Sequence, residues 1–381
     1  MPSLPIEEKN YWLAFSAFPG IGPLRFKLLV DYFGSAQKAW EAEGKKLLDI
    51  GLGEKLTAKF ISFRQKFSIK EFNQFLEKNE IQTFTLLDKK YPPLLSQIPA
   101  APFVLYVRGK TDSNWWNNGR TVAVVGTRRV TGYGTAVTKR ITEGLAGMGL
   151  TIVSGMAYGV DTVAHQAAID AGGKTIAVLG CGIDMIHPIS NTALYWNIIK
   201  KFGAVVSEFP PGVLVSKGLF PARNRIISGL SQGVVVTEGA KDSGALITAR
   251  FAAEQGREVF AVPGPITSEL SQGPTILLKQ GAKMVTEVTD ILEELNIKNM
   301  TTCLAGRRVK QCNNETMRKI FNNLTPDEKK IMEILENENL HFDEIVRKSG
   351  VASSKIGSLL TMMEMKSLIK HLGGGIYGIN S

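Results

Sequence analysis

The sequence predicts an α/β protein built on a Rossmann-like, doubly wound parallel sheet, with a small helical domain before it and a winged helix after it. Two observations carry the central element. Between Thr121 and about Leu295, six short β-branched runs (TVAVVG, TIVSG, TIAVLG, AVVSE, GVVVTE and EVFAVPG) alternate with segments of helical length such as GTAVTKRITEGLAGMG and GALITARFAAEQG. A strand lacking polar alternation is covered on both faces, the condition of a parallel sheet between two helical layers. A third observation fixes the C-terminal unit: three amphipathic segments and a glycine-containing hairpin follow one another after Thr325.

The first element, residues 1–75, reads as short helices broken by paired glycines. Pro19-Gly20-Ile21-Gly22 lies between two apolar helical stretches, and a degenerate copy recurs at Ile50-Gly51-Leu52-Gly53. Such a turn exposes backbone amides at a helix N-terminus and suits phosphate binding, as in helix-hairpin-helix modules; it serves equally as a tight turn in a helical bundle. Residues 76–120 form a lead-in. Pro92, Pro93, Pro99 and Pro102 should keep it extended, with VLYVRG as an edge strand. With the strands that follow, this makes a domain of 76–295. Residues 296–324 are polar, asparagine-rich and basic, and read as a linker. In the last element, 325–381, Thr325 is placed as an N-cap, Pro326 at the first helical position and Glu328 to close a capping box. The order helix-helix-helix-hairpin is that of a winged helix.

The composition agrees with such an assembly. A length of 381 residues suggests two or three domains, and 44% hydrophobic with 21% charged residues excludes wholesale disorder. The formal net charge of +10 fits polyanionic partners as well as simple solubility. The N-terminus shows neither a basic nor an apolar signal region, and no run reaches the ~18 apolar residues of a membrane helix. Cys181, Cys303 and Cys312 form no CxxC pair, and the four histidines have no ligand spacing to them. The expectation is a cytoplasmic protein without metal, cofactor or membrane contact.

In an open parallel sheet, ligands bind beyond the carboxyl ends of the strands. After TVAVV come Gly126, Thr127 and Arg128, where glycine permits a tight turn, a helix start offers amides and arginine adds a phosphate fork. This is not GxGxxG, and no acidic residue follows at the spacing that grips a ribose, so a dinucleotide is not expected. After TIVS comes Gly155, again with small residues opening a helix. The stretch LVSKGLFPARNRIISG gathers Lys217, Phe220, Arg223 and Arg225, and cations beside an aromatic ring are what single-stranded nucleic acid requires. Ser243, Gly244 and Thr248 open the helix after VVVTEGA. Gly172-Gly173-Lys174-Thr175 imitates a P-loop, but Ala168 replaces its first glycine and a strand follows instead of a helix. His165 has no nucleophile in a matching pattern and reads as a satisfied buried histidine. Glu208 and Glu238 sit at strand ends without grounds for pairing them. In the winged helix, the recognition helix offers only Lys355 and Lys366, thin for groove binding, so a protein contact is an equal reading.

The motifs GTRRVTGYG, IVSGMAYGVDTVAHQAAI, GGKTIAVLGCGIDMIHPISN, SEFPPG, FPARNRIISGLS, SGALITARFAAEQGREVFAVPG and QGPTILLKQGA, with the lead-in YPPLLSQIPAAPFVLYVRG, together resemble the DprA/Smf family of DNA-processing proteins of natural transformation. The resemblance covers about residues 8–381. It implies a binding protein, not an enzyme, which shields incoming single-stranded DNA and helps load the RecA recombinase. It also implies a homodimer formed through the Rossmann-like domain. By this likeness Arg128 and Lys217 hold phosphates and Phe220 stacks on a base. Arg223, Asn224 and Arg225 belong to the family's FPxRNR signature, and Ser243, Gly244 and Thr248 line the same pocket. Thr127 stands where the family commonly has serine, which keeps the hydroxyl. The N-terminal domain resembles the family's SAM-like module. Two rival readings remain: a nucleotide hydrolase related to phosphoribohydrolases, whose PGGxGT segment is SGALITA here, and a duplex-DNA-binding regulator acting through the winged helix.

Overall fold

The computed structural model describes residues 5–111, 119–216, 218–297, 325–335, 340–366 and 368–379. The chain divides into two compact units, Met1–Lys298 and Asn299–Ser381. The expected linker lies almost wholly outside the described residues, as do Lys217, Cys303 and Cys312.

The larger unit is organised by a nine-stranded sheet. Its strands are β1 (Gln82–Thr85), β2 (Val104–Gly109), β3 (Thr121–Val125), β4 (Thr151–Ser154), β5 (Thr175–Val178), β6 (Gly203–Ser207), β7 (Gly233–Val236), β8 (Glu258–Ala261) and β9 (Lys283–Met284), in the order β1-β2-β6-β5-β4-β3-β7-β8-β9. All six apolar runs of the sequence are strands, mutually parallel from β6 to β8. The run VLYVRG forms β2, yet it is not the edge expected of it. It pairs antiparallel with β6 on one side and with β1 on the other. The four residues of β1 and the two of β9 are too short to show a sequence period, and tertiary pairing alone makes them strands.

Alternate residues of each strand enter different cores, which is why the runs lack polar positions. Val104 and Tyr106 of β2 join one apolar cluster, while Leu105 and Val107 join that of the opposite face. Between β1 and β2 the lead-in is not extended throughout, since Pro93–Ser96 forms a short helix, α7, with proline in its first turn. The helices that follow the strands are α8 (Gly132–Gly147), α9 (Val160–Asp170), α10 (Thr192–Asn197), α11 (Leu219–Gly229) and α12 (Gly244–Glu254).

The N-terminal helices α1 (Ile6–Ala17), α2 (Pro23–Phe33), α3 (Ala36–Glu41), α4 (Gly44–Asp49), α5 (Glu54–Lys66) and α6 (Ile69–Lys78) share one core with the first sheet face. The Phe26 ring stacks on Phe103 at 4.0 Å between centroids, and Ser16 meets the buried Tyr106 hydroxyl at 2.5 Å. The Pro19–Gly22 turn has Gly20 at φ 112°, the left-handed region that favours glycine, and its position for a Cβ lies 2.9 Å from Leu56 Cδ1. The two glycine turns therefore bring helical hairpins together, and the first also faces Phe209–Gly212 across an apolar cleft of about 630 Å³.

The smaller unit has helices at Pro326–Leu335, Phe342–Ser349 and Ser353–Met365 and a three-stranded sheet in which Leu340–His341 and Ile369–Gly373 both pair with Ile376–Ile379. Ile331, Leu335, Ile345, Ile356, Leu360 and Ile369 make its core. The capping box forms: Glu328 N–H donates to Thr325 Oγ1 at 3.4 Å, and Thr325 N–H donates to the Glu328 carboxylate at 2.8 Å. The added strand at Leu340–His341 was not legible in the sequence.

Candidate nucleic-acid interface

Strands β3 to β6 proceed to one side of β3, whereas β7 and β8 lie on its other side, so the winding reverses between β3 and β7. The loops after these two strands separate there and open a crevice. A cleft of about 390 Å³ occupies the position, lined by Gly126, Thr127, Arg128, Arg129, Asp161, Phe220, Arg223, Asn224, Ser243, Gly244 and Thr248 among others.

The β3 loop is fixed by backbone bonds to its neighbours. Thr127 N–H donates to Glu238 O at 2.7 Å, and Thr127 O accepts Val160 N–H at 3.1 Å. A Cβ on Gly126 would stand 2.6 Å from Val160 Cγ2 and 2.7 Å from Glu238 O, so only glycine lets these loops approach. The Thr127 hydroxyl accepts Arg129 N–H at 3.1 Å. Arg128 is exposed, has no carboxylate partner among the described residues, and lies 5.0 Å over the Phe220 ring. On the facing wall, Ser243 caps α12 by accepting Ala245 N–H, and Gly244 O accepts from Asn224 Nδ2 at 3.3 Å. Thr248, one turn further, is buried.

Beneath this surface lies a buried charge pair. Arg223 is 4% exposed and Asp161 6%. Burial pushes the Asp161 carboxyl up, against the pull of Arg223. Burial also lowers the Arg223 guanidinium, and nearby Arg128 lowers it further while Asp161 supports it. A Cβ on Gly155 would stand 1.4 Å from Arg223 Nη1 and 2.7 Å from Asp161 Oδ2. Gly155 thus makes room for the guanidinium. Arg223 Nε is buried without a hydrogen-bond partner.

Arg225, two residues on, turns away. It donates to Ala100 O at 2.8 Å and pairs with Glu208, and it does not line the cleft. Helical geometry explains the split, since residues two apart on a helix point to different sides. Of the sequence-selected residues, Gly126, Thr127, Arg128, Phe220, Arg223, Asn224, Ser243, Gly244 and Thr248 line this cleft. Gly155 lies in a smaller pocket beside it that shares Arg128, Phe220 and Arg223. Asp161 and His187 were not selected from the sequence. Asp161 in the first turn of α9, after a glycine-containing loop, was the available signal, whereas His187 reaches Phe220 (6.1 Å between rings) only through the fold.

The other titratable candidates are structural. His165 is fully buried with Nδ1 2.6 Å from Thr175 Oγ1, and burial lowers it to about 3. Glu238 accepts Thr131 N–H and its hydroxyl at 3.0 and 2.6 Å. Burial raises the Cys181 thiol to about 11.

The family model for DNA recombination-mediator protein A matches residues 82–296. The chain belongs to that family. A second model, the DprA winged helix domain, matches residues 322–375. Protein Smf of Synechocystis sp. is 34% identical over 97% of this chain and 98% of its own length. The DNA processing protein DprA of Bacillus subtilis is 44% identical over 58% of this chain and 73% of its own. Among solved structures, DprA from Streptococcus pneumoniae superposes with a TM-score of 0.65 at 37% identity, covering 77% of this chain and 99% of that one. DprA from Helicobacter pylori, described for its single-stranded DNA binding mode, gives 0.51 at 29% identity over 57% and 95%. As a member of the DprA family, the chain is a DNA-processing protein. Among its described residues no helix is long and apolar enough to cross a membrane, and no cluster of three or more His, Cys, Asp or Glu could hold a metal ion.

Proposed function

We propose that this chain is a cytoplasmic, homodimeric mediator of recombination in natural transformation, which binds incoming single-stranded DNA, shields it and helps load RecA. It works as a binding protein without catalysis or cofactor. The observation that supports this reading best is Arg128 poised over Phe220 at the reversal of the sheet: an unpaired cation for a phosphate and a ring for a base, in one cleft. Lys217 and Arg128 would take phosphates, Phe220 would stack, and the amides of Gly126 and Gly244 with the Thr127 hydroxyl would line the strand's path, with Gly155, Asn224, Ser243 and Thr248 shaping it. Arg223 and Arg225 have other duties: Arg223 shapes the floor against Asp161, and Arg225 ties α11 to Glu208.

The hydrolase reading needs a carboxylate in the cleft that no cation or donor engages. Glu208 is engaged by Arg225, Glu238 by Thr131, and Asp161 faces Arg223, which leaves exposed Asp242 at the turn before α12; turnover of a nucleoside monophosphate that Asp242→Asn abolishes would favour that reading. The duplex-binding reading is disfavoured, because Lys355 is paired with Asp327 at 2.6 Å and Lys366 with Glu328 at 2.7 Å. The test is binding of Arg128→Ala to an oligothymidylate. Affinity should fall strongly at physiological salt; unchanged affinity would remove the cleft from the account. RecA loading and dimerisation are checked by strand-exchange assay and sedimentation.

A further inference from the structure

The molecule carries a second cation-over-ring arrangement, away from the cleft. Trp196, on α10, is 37% exposed. Arg108 Cζ lies 5.1 Å from its ring centroid and Lys200 Nζ 5.7 Å. Arg108 Nη1 also donates to Tyr195 Oη at 3.3 Å, which fixes the guanidinium beside α10. Lys201 follows Lys200 and is exposed, and Lys174 Nζ reaches Lys201 O at 3.2 Å. Lys110, at the end of β2, bonds through its backbone to Gly203 O and is exposed.

Five cations therefore gather where β2 ends and β5 and β6 begin, on the sheet edge opposite the cleft. None of Arg108, Lys110, Lys174, Lys200 and Lys201 has an ion-pair partner among the described residues. The flanking segments Tyr106–Thr111 and Thr192–Gly203 contain no acidic residue. A stable fold gains nothing from concentrating uncompensated charge, and an exposed tryptophan in its midst is suited to a polyanion that also offers flat rings.

A surface path joins the two arrangements. His187 contacts Phe220, and the chain then enters α10, whose six residues and the five-residue π-turn after it run back toward Lys200 and Lys201. At 1.5 Å per residue this is roughly 16 Å, a span of a few nucleotides. We infer that Trp196, Arg108, Lys200 and Lys201 form a second contact for single-stranded nucleic acid, occupied by the same strand that fills the Phe220 cleft after it passes His187. The inference rests on the single-strand reading above and extends it by giving the bound strand a direction and a minimum length.

The test uses the full chain and two oligothymidylates, one of about three nucleotides, too short to span from Phe220 to Trp196, and one of about twenty, longer than the usual site sizes. Lys200→Glu with Lys201→Glu should weaken the long strand at least tenfold, lower its salt slope by about 1.4, and leave the short strand unchanged. Loss of both strands in Arg128→Ala alone, with the double variant binding both normally, overturns the second contact and leaves the cleft standing. Normal binding by both variants overturns both. A readout independent of charge reversal comes from fluorescence. The long strand should quench emission in the native chain more than in Trp196→Phe, and the short strand should quench the two alike; equal quenching with the long strand counts against stacking at Trp196.

Discussion

The Arg128 guanidinium lies 5.0 Å over the Phe220 ring, so a phosphate-binding cation and a stacking surface are held in one geometry before any strand arrives. The two contributions separate experimentally. Phe220→Ala should lose about 1–3 kcal/mol of single-strand affinity while the dependence on salt keeps its slope, because stacking releases no counterions. Arg128→Ala should lower that slope by about one. Anisotropy titrations at several salt concentrations check both.

Gly155 is a constraint on Arg223. Gly155→Ala places a methyl on Arg223 Nη1 and should cost at least about 1–3 kcal/mol, seen as a lowered melting temperature with weakened DNA binding. Wild-type melting and binding would show that the guanidinium has another place to go.

Breaking the buried pair from the other side has a pH signature. Arg223→Met leaves buried Asp161 with its hydrogen bonds from Ala157, Gly155 and Ser154 but without its neighbouring cation, and should destabilise the fold at neutral pH. Burial already raises Asp161, and loss of Arg223 raises it further. A carboxyl whose folded pKa exceeds its unfolded value binds more protons when folded, so stability rises as pH falls through the folded pKa. The variant should regain part of its stability between neutral and mildly acidic pH in thermal melts, and Asp161→Asn in the same background should abolish that recovery.

The winged helix responds in the opposite sense. Lys366 and the Thr325 cap hold Glu328 below the usual carboxylate range. Its contribution is present above the unfolded carboxylate pKa and is lost as pH falls through the lower folded value. Glu328→Gln should destabilise this unit at neutral pH and flatten its acid dependence, as read by calorimetry of the full chain.

Elements buried on both faces were the most legible in the sequence, since β3 to β8 announce themselves by uninterrupted β-branched runs. The short strands β1 and β9 do not, because four and two residues carry no period and their pairing is set by distant neighbours. Site legibility divided in the same way. Glycines and serines at strand ends mark the cleft locally, so Gly126, Ser243 and Gly244 could be read. The signature FPARNR names three polar residues without saying which face each takes, and only the packing of α11 sends Asn224 to the cleft, Arg223 to its floor and Arg225 to Glu208.

The most direct test of the central claim is fluorescence anisotropy of the purified chain with a labelled oligothymidylate and a matched duplex, each titrated across salt. The single strand should bind tightly, with a clear preference over the duplex and a steep salt slope. Equal affinity for both, or binding of neither, would contradict it.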